Sequence, residues 1–268
     1  MATVRVLAAD SMEGRRAATP GGARARRYLL GRLQGLGLAP LEGSYTWSFP
    51  LPTDSGVNLL GVIPGTRGDA PYIVLSAHYD HVGIRDGVIY NGADDNASGV
   101  AAVLAIAGSL RQQPLEHPVI VALFDAEEGG LRGAWAFVTG GPVPRERIAL
   151  NINLDMVGHS EAGVLWAAGA SHTPALRPVL DSLALTAPVT LKLGHDRAGV
   201  TGEQDWSGSS DHGAFRSAGI PFVYFGVEDH QDYHRPSDDP ETLTPKFFGG
   251  AVATIEAALR AVDKVVGR

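Results

Sequence analysis

Apolar runs of strand length, each followed closely by acidic or histidine side chains, recur along this sequence and constrain its fold more than any other feature. The runs are 72–77 before His78 and Asp80, 118–124 before Glu127 and Glu128, 148–154 before Asp155, and 220–225 before His234. Continuous apolar runs are typical of strands buried on both faces of a parallel sheet. Because the carboxyl ends of such strands meet at one edge, where α/β proteins bind ligands, we expect these polar side chains to form one site.

Helix-like segments lie between and around the apolar runs. They are 19–37, which contains a Thr-Pro start, 98–110, 174–185 and the amphipathic segment 244–266. Shorter β-rich stretches lie at 44–52, 57–63, 164–168 and 189–193. This alternation predicts an α/β fold with a mixed, largely parallel central sheet, flanked by helices on both faces, and a site at the C-terminal ends of the strands.

The residues at the predicted strand ends are of the types that bind divalent metal ions. The sequence contains no cysteine, so the available ligands are the nitrogen and oxygen atoms of His, Asp and Glu. Carboxylates that cluster without nearby Lys or Arg partners repel one another unless a cation is present. Two divalent ions would balance the negative charge of these carboxylates. The sequence therefore predicts a metal site.

Each residue taken alone has a simpler explanation. His78 could be a hydrogen-bonded polar residue, 127–128 a solvated turn, and Asp155 an Asx turn at a strand end. Asp94 or Asp95 could cap the helix that follows, although a cap explains at most one of them. Recurrence after successive apolar strands favours the metal site over these alternatives. We expect five other histidines not to be ligands: His81, His159, His172, His195 and His230.

Composition limits the possibilities for the whole chain. With 268 residues, 44% of them hydrophobic and 19% charged, we predict a single domain over residues 1–268. The formal net charge of −7 argues against a nucleic-acid-binding surface. The longest apolar run is too short to span a bilayer, so we expect a soluble protein with no membrane partner. No signal peptide is recognisable after Met1; the compartment stays open, and it would be extracytoplasmic if an export signal had been removed.

Several segments together resemble those of a known enzyme family. They are SMEGRRAATPGG, GADDNASG, FDAEEGGLRGA, NLDMVG, SSDHGAF and YHRPSD. The sequence is similar to the zinc-dependent metallopeptidases of the bacterial leucyl aminopeptidase and glutamate carboxypeptidase type, whose pattern is HxD, a later D, an EE pair, a further D and a final H. The resemblance covers nearly the whole chain. Because no protease-associated or dimerisation insert is recognisable, we expect the bare catalytic module.

The resemblance implies two zinc ions per chain and a set of ligands for them. These are Asp95, which would bridge both ions, His78 and Asp155 at one ion, and Glu128 and His234 at the other. Glu127, next to a ligand but not itself one, would act as the general base. The resemblance also implies a cis peptide bond after Asp95.

Three further residues have predicted supporting roles. Asp80 would orient His78 by accepting a hydrogen bond from its second ring nitrogen, and Asp238 would do the same for His234. Tyr233 would either donate a hydrogen bond to the oxyanion or form a wall of the pocket.

The predicted substrate is a peptide with a free amino terminus. The carboxylates of Glu127 and Asp155 would favour a cation, and the polar, Gly-rich tract 194–210 would wall the pocket, with Trp206 and Phe215 favouring apolar first residues. A carboxypeptidase needs clustered guanidinium groups, whereas the downstream arginines are scattered singly at Arg197, Arg216 and Arg235. We therefore expect an aminopeptidase, and a monomer rather than an oligomer.

Three alternative functions remain open. They are a carboxypeptidase of the same family, a glutaminyl cyclase-like transferase with a single zinc ion, and a binding module without catalysis. The pairing of His78 with Asp80 argues for two metals and against the transferase. An intact set of ligands and base argues against the binding module.

Overall fold

In the part of the chain that the computed structural model describes, residues 1–52, 54–202 and 204–266, nine strands form one central sheet and two more form a hairpin. The strands are β1 (Ala39–Pro40), β2 (Thr46–Pro50), β3 (Ser55–Ile63), β4 (Tyr72–His78), β5 (Gly83–Arg85), β6 (Val88–Tyr90), β7 (Val119–Phe124), β8 (Ile148–Leu154), β9 (Val164–Ala168), β10 (Thr190–Leu193) and β11 (Phe222–Gly226). Strands β5 and β6 are the hairpin.

Helices precede the first strand, follow the last one and lie in four of the connections between strands. They are α1 (Ala2–Leu7), α2 (Pro20–Gly35), α3 (Gly99–Gln112), α4 (Arg132–Gly140), α5 (Arg177–Ala184), α6 (His212–Ser217) and α7 (Pro245–Val262). Pro20 is the first residue of α2, and the hydroxyl of Thr19 accepts a hydrogen bond from the N–H of Gly22, as expected for a capped helix start. None of the described helices is long and apolar enough to cross a membrane.

The central sheet runs in the order β1-β3-β7-β4-β8-β11-β9-β10, with β2 also paired to β3. Strands β7, β4, β8 and β11 are mutually parallel neighbours. The flanking pairs β3 with β7 and β9 with β11 are antiparallel. The predicted fold class, a mixed and largely parallel sheet between helices, is confirmed.

The two faces of the sheet are covered by different helices. Alternate residues of β4 point to opposite faces, so that Ile73 and Leu75 join a core with α1, α2, α3, α5 and α7. Val74 joins a smaller core on the other face with Phe137 of α4 and Phe215 of α6. The parallel strands are therefore buried on both sides, which explains their continuous apolar sequence.

Candidate metal centre

Four neighbouring strands bring polar side chains to one edge of the sheet. His78 is the last residue of β4, and Asp155 directly follows β8. The segment after β7 contains Glu127 and Glu128, and the segment after β11 contains His234. Because these four strands are parallel, their carboxyl ends lie side by side.

Asp80 connects the acidic segment after β7 to the turn after β4. Its carboxylate accepts hydrogen bonds from the backbone N–H of Glu127, at 3.0 Å, and of Glu128, at 3.3 Å. The sequence predicted that this carboxylate orients His78, but it lies 3.7 Å from Nδ1 of that ring. The carbonyl oxygen of Asp80 is nearer, at 3.1 Å. Both the carboxylate and the carbonyl oxygen of Asp80 therefore face Nδ1 of His78, and the orienting role of the carboxylate stays a prediction. The same carboxylate also orients the two glutamates.

A tight helical turn over Ala93–Ser98 presents Asp95 to the site. The peptide bond after Asp95 is cis, as the resemblance implied. The carboxylate of Asp238 accepts hydrogen bonds from the N–H of Asp94, at 2.9 Å, and of Asp95, at 3.0 Å. The prediction that Asp238 orients His234 was wrong, because its carboxylate bonds to the backbone of this turn instead.

Asp95 lies between the two histidines of the predicted ligand set. One of its carboxylate oxygens is 3.3 Å from Nε2 of His78, and the other is 3.0 Å from Nε2 of His234. Nε2 of His78 is also 3.2 Å from an oxygen of Asp155, and Nε2 of His234 is 3.3 Å from an oxygen of Glu128. The structure thus brings all five side chains together, in two groups that share Asp95.

His81, which we expected not to be a ligand, contacts this cluster. Its side chain is buried, with Nδ1 2.8 Å from an oxygen of Glu128 and 3.6 Å from an oxygen of Asp95. Its position three residues after His78, in the turn that follows β4, was the available signal. The histidine therefore borders the ligand group that contains Glu128.

The two adjacent glutamates have opposite electrostatic environments. Burial raises the pKa of Glu127 well above its usual value, and the nearby charge of Asp155 adds to the rise. Burial acts in the same direction on Glu128, but hydrogen bonds from His234 and His81 outweigh it and hold its pKa at about 2. Glu128 is therefore an anion suited to binding a cation, whereas Glu127 is suited to accepting and releasing a proton.

Asp211, at the start of α6, is a buried acid that the sequence did not single out. Burial raises its pKa to about 8, and the charges of Asp80 and Asp155 act in the same direction. Within the described residues, neither of its carboxylate oxygens has a hydrogen-bond partner. The raised pKa favours the uncharged form of Asp211 in this cluster.

The cluster opens into a cavity of about 230 Å³. Its other walls include Gln204, Trp206, Ser209, Tyr224, Asp229 and Tyr233. Trp206 lines the cavity as predicted, and the ring of Tyr233 stacks on that of His234 with 4.1 Å between centroids. Tyr224 and Asp229 were not foreseen, because no metal-ligand or motif spacing marks them.

Phe215 does not line the cavity, and its predicted role was wrong. The side chain is fully buried in the smaller core, where its ring centroid lies 6.0 Å from that of Phe124 and 5.9 Å from that of Phe137. The reason is that α6 packs Phe215 into the core between the sheet and α4.

The donor atoms at the site suit divalent metal ions. Among the described residues, His78, Glu127 and Asp155 form one group with ligand atoms within 4.8 Å of one another, and His81, Asp95 and Glu128 form a second. Imidazole and carboxylate donors without thiolates are compatible with Zn²⁺. No Lys or Arg lines the cavity in the described ranges. The residues present therefore fit zinc.

A third group with similar spacing lies beside a different pocket and consists of His159, His230 and Asp232. Nε2 of His230 is 3.1 Å from a carboxylate oxygen of Asp94, whose other oxygen accepts from the N–H of Gly158 at 2.7 Å. His230 thus supports the turn that presents Asp95.

Comparison with known proteins gives one family. The model described as Peptidase family M28 matches residues 58–259. The aminopeptidase YwaD of Bacillus subtilis is 29% identical over 224 residues, which cover 75% of this chain and 44% of that protein. This chain spans less than half the length of the first curated relatives that it matches.

Solved structures agree on the fold. BSAP, a zinc aminopeptidase from Bacillus subtilis, superposes with a TM-score of 0.65 and 27% identity, covering 78% of this chain and 50% of that one. The glutaminyl cyclase of Porphyromonas gingivalis superposes with a TM-score of 0.75 and covers 98% of this chain and 97% of that one. At 19% identity, the second match shows the shared fold alone.

Proposed function

This chain belongs to peptidase family M28, and from that membership we propose that it is a two-zinc aminopeptidase that hydrolyses the amino-terminal residue of peptides. The observation that carries the proposal is the position of Asp95. Its two carboxylate oxygens face different histidines, at 3.3 Å from Nε2 of His78 and 3.0 Å from Nε2 of His234. A carboxylate placed in this way is suited to bridging two metal ions.

The proposed ligands are His78, Asp95 and Asp155 for one ion and Asp95, Glu128 and His234 for the other. When bound, zinc supplies Lewis-acid chemistry, which activates water and polarises a carbonyl group. His81 and Asp80 would hold Glu128 in its binding orientation, the first by its ring and the second through the backbone N–H.

Proton transfer is assigned to the carboxylate of Glu127. It would accept the proton of the attacking water and release it to the nitrogen of the departing amine. Its raised pKa supports this role, because burial strengthens the carboxylate as a proton acceptor. Tyr233, in the cavity wall beside His234, would donate a hydrogen bond from its hydroxyl to the substrate carbonyl oxygen.

The charge of the cavity supports binding of a free amino terminus. Glu127, Asp155 and Asp229 line it, and among the described residues no Lys or Arg does. A negative lining favours a cation and opposes a terminal carboxylate. Trp206 gives the same cavity an apolar wall, which favours an apolar first residue.

Metal analysis combined with two substrates tests the proposal. We expect about two zinc ions per chain, loss of activity on chelation, and hydrolysis of leucine p-nitroanilide but not of its N-acetyl derivative. Asp95→Ala should lower the occupancy of both metal positions, whereas His78→Ala should lower mainly one. Full activity with one zinc ion, or equal cleavage of the acetylated substrate, would contradict the proposal. Cyclisation of amino-terminal glutamine would identify a transferase instead.

A further inference from the structure

A second pocket, of about 310 Å³, adjoins the catalytic cavity at Glu128, which lines both. Three arginines line this second pocket: Arg16, Arg85 and Arg132. In the chain segments that the structure describes, none of the three forms an ion pair with a carboxylate. We call this the arginine pocket.

The contacts of the three arginine side chains are with neutral groups. Nε of Arg132 donates a hydrogen bond to the carbonyl oxygen of Gly129 at 2.9 Å, and the guanidinium of Arg85 lies 5.6 Å from the ring centroid of Tyr90. The stem of Arg16 lies against Gly83, where a Cβ added to the glycine would be 2.7 Å from the Cβ of Arg16. All three residues are exposed, and among the described residues no carboxylate neutralises their charges, so an anion could bind them.

The two carboxylates in the pocket wall already have partners. Asp80 accepts hydrogen bonds from two backbone N–H groups, and Glu128 contacts His81 and His234. Three guanidinium groups against these two carboxylates give the wall of the arginine pocket a net positive charge. This is the opposite of the catalytic cavity, where carboxylates line the wall.

We propose that the arginine pocket binds a carboxylate of the peptide on the carboxyl side of the scissile bond. The enzyme would then prefer peptides that carry an anionic group at the distance of this pocket from the scissile bond. The inference rests on the proposed aminopeptidase function. A peptide whose amino terminus lies in the acidic cavity would extend its following residues past Glu128, at about 3.3 Å per extended residue. Guanidinium groups match a carboxylate in both charge and geometry.

Kinetics on peptides with free and amidated ends test this inference. The substrates are Leu-Ala and Leu-Ala-Ala, each compared with its C-terminal amide, so that the chain length reports how far the pocket lies from the scissile bond. Because the carboxylate is bound equally before and during the reaction, its effect belongs in KM and not in kcat. We expect KM to be about tenfold lower for the free acid at one of these lengths.

Charge-removing variants locate the effect. In Arg16→Gln, Arg85→Gln and Arg132→Gln, we expect the ratio of KM for the amide to KM for the acid to fall towards one. Arg145→Gln is the control, because this exposed arginine precedes β8 and so lies at the opposite edge of the sheet. There the ratio should stay at the wild-type value.

A second pair of substrates separates the two sources of a carboxylate. Leu-Glu amide and Leu-Gln amide differ only in a side-chain charge. A lower KM for Leu-Glu amide would show that the pocket binds an acidic side chain as well as a C-terminal carboxylate. If the wild-type enzyme hydrolyses leucine p-nitroanilide but discriminates in none of these pairs, the inference fails and the proposed function stands. Cleavage of N-acetyl-Leu-Ala, or no hydrolysis of any substrate, would overturn both.

Discussion

Arg15 carries a positive charge into the protein interior next to the acidic cluster. Its side chain is fully buried, and its guanidinium donates hydrogen bonds to the carbonyl oxygens of Leu7, Tyr79, Asn91 and Gly92. Burial lowers its pKa to about 10, while the charges of Asp95 and Asp238 oppose the shift, so the group stays protonated at neutral pH. Arg15 therefore offsets part of the negative charge of the site. Its hydrogen bonds also connect α1 to the turns that carry the site residues.

Replacing Arg15 with methionine should destabilise the fold. The substitution keeps much of the apolar stem but leaves several buried carbonyl oxygens without donors, which we expect to cost about 3 kcal/mol or more of the free energy of unfolding. Urea denaturation measures the change. Arg27→Met, at an exposed position of α2, is the matched control and should change stability by less than about 0.5 kcal/mol. Equal stability of the two variants would refute the structural role of Arg15.

The adjacent residues Glu127 and Glu128 should respond differently to the same chemical change. Glu127→Gln preserves size but cannot accept a proton, so kcat should fall by roughly two to four orders of magnitude with metal content and KM little changed. Glu128→Gln should first lower the zinc content, and activity as a consequence. Steady-state kinetics and elemental analysis of both proteins separate the cases. Normal turnover by Glu127→Gln would assign the base to another residue.

Positions at strand ends could be predicted from the apolar pattern alone, whereas the hydrogen-bond partners of residues in turns could not. The apolar runs place His78 and Asp155 at one edge of a sheet without any three-dimensional information. The sequence does not show that Asp238 would contact a turn more than 140 residues away in preference to its near neighbour His234. Likewise, nothing in the residues around Phe215 shows which way α6 turns its ring.

At the scale of elements, the apolar strands were predictable, whereas two of the shorter helices were not. Strands β8 and β9 have the predicted bounds, whereas α4 and α6 were missed. The sequence of α4 is rich in glycine, which normally disfavours a helix. Gly133 is required there because a Cβ would lie 2.4 Å from both the side-chain oxygen of Asn58 and the carbonyl oxygen of Asp125. Close packing on β3 and β7 therefore outweighs local helix propensity.

A carboxylate just beyond the last turn of α7 joins this helix to the segment before β7. Asp263 accepts hydrogen bonds from the N–H of Glu116 and of His117, both at 3.0 Å, and lies 2.9 Å from Nδ1 of His117. These bonds hold the end of α7 against the segment that leads into β7. Burial opposes ionisation, but the hydrogen bonds lower the pKa of Asp263 below its usual value.

Asp263→Asn should destabilise the protein in a pH-dependent way. The amide loses the charge and turns an N–H₂ towards backbone donors, so we expect a loss of about 1–3 kcal/mol at pH 7. Because the folded-state pKa is lowered, this stabilisation is present above the unfolded-state pKa of about 3.9 and is lost as the pH falls through the folded-state value. The difference in free energy of unfolding between the wild type and Asp263→Asn should therefore be smaller in acid than at pH 7. Urea unfolding at the two pH values measures it. The exposed Asp181→Asn serves as the control, and a constant difference would contradict the assignment.

On the scale of the whole molecule, the site joins parts of the chain that are distant in sequence. The five proposed ligands lie between His78 and His234 and come from segments that follow four neighbouring strands and the turn before α3. The carboxylates among them repel one another, and the unfolded chain cannot hold them at the same spacing. A bound cation would therefore stabilise the folded state and link the ends of the central strands.

Removing the metal should lower the melting temperature of the entire domain and not only its activity. A ligand that binds the folded state alone stabilises it by RT ln(1 + [L]/Kd), about 2.7 kcal/mol at a hundredfold excess over Kd. For a domain of this size that corresponds to a shift in Tm of roughly 5–10 °C. Differential scanning calorimetry with buffered zinc and with EDTA measures the shift. Asp95→Ala removes the proposed bridge, so its Tm should depend little on zinc; an equal shift in the variant would show that the stabilising ions bind elsewhere.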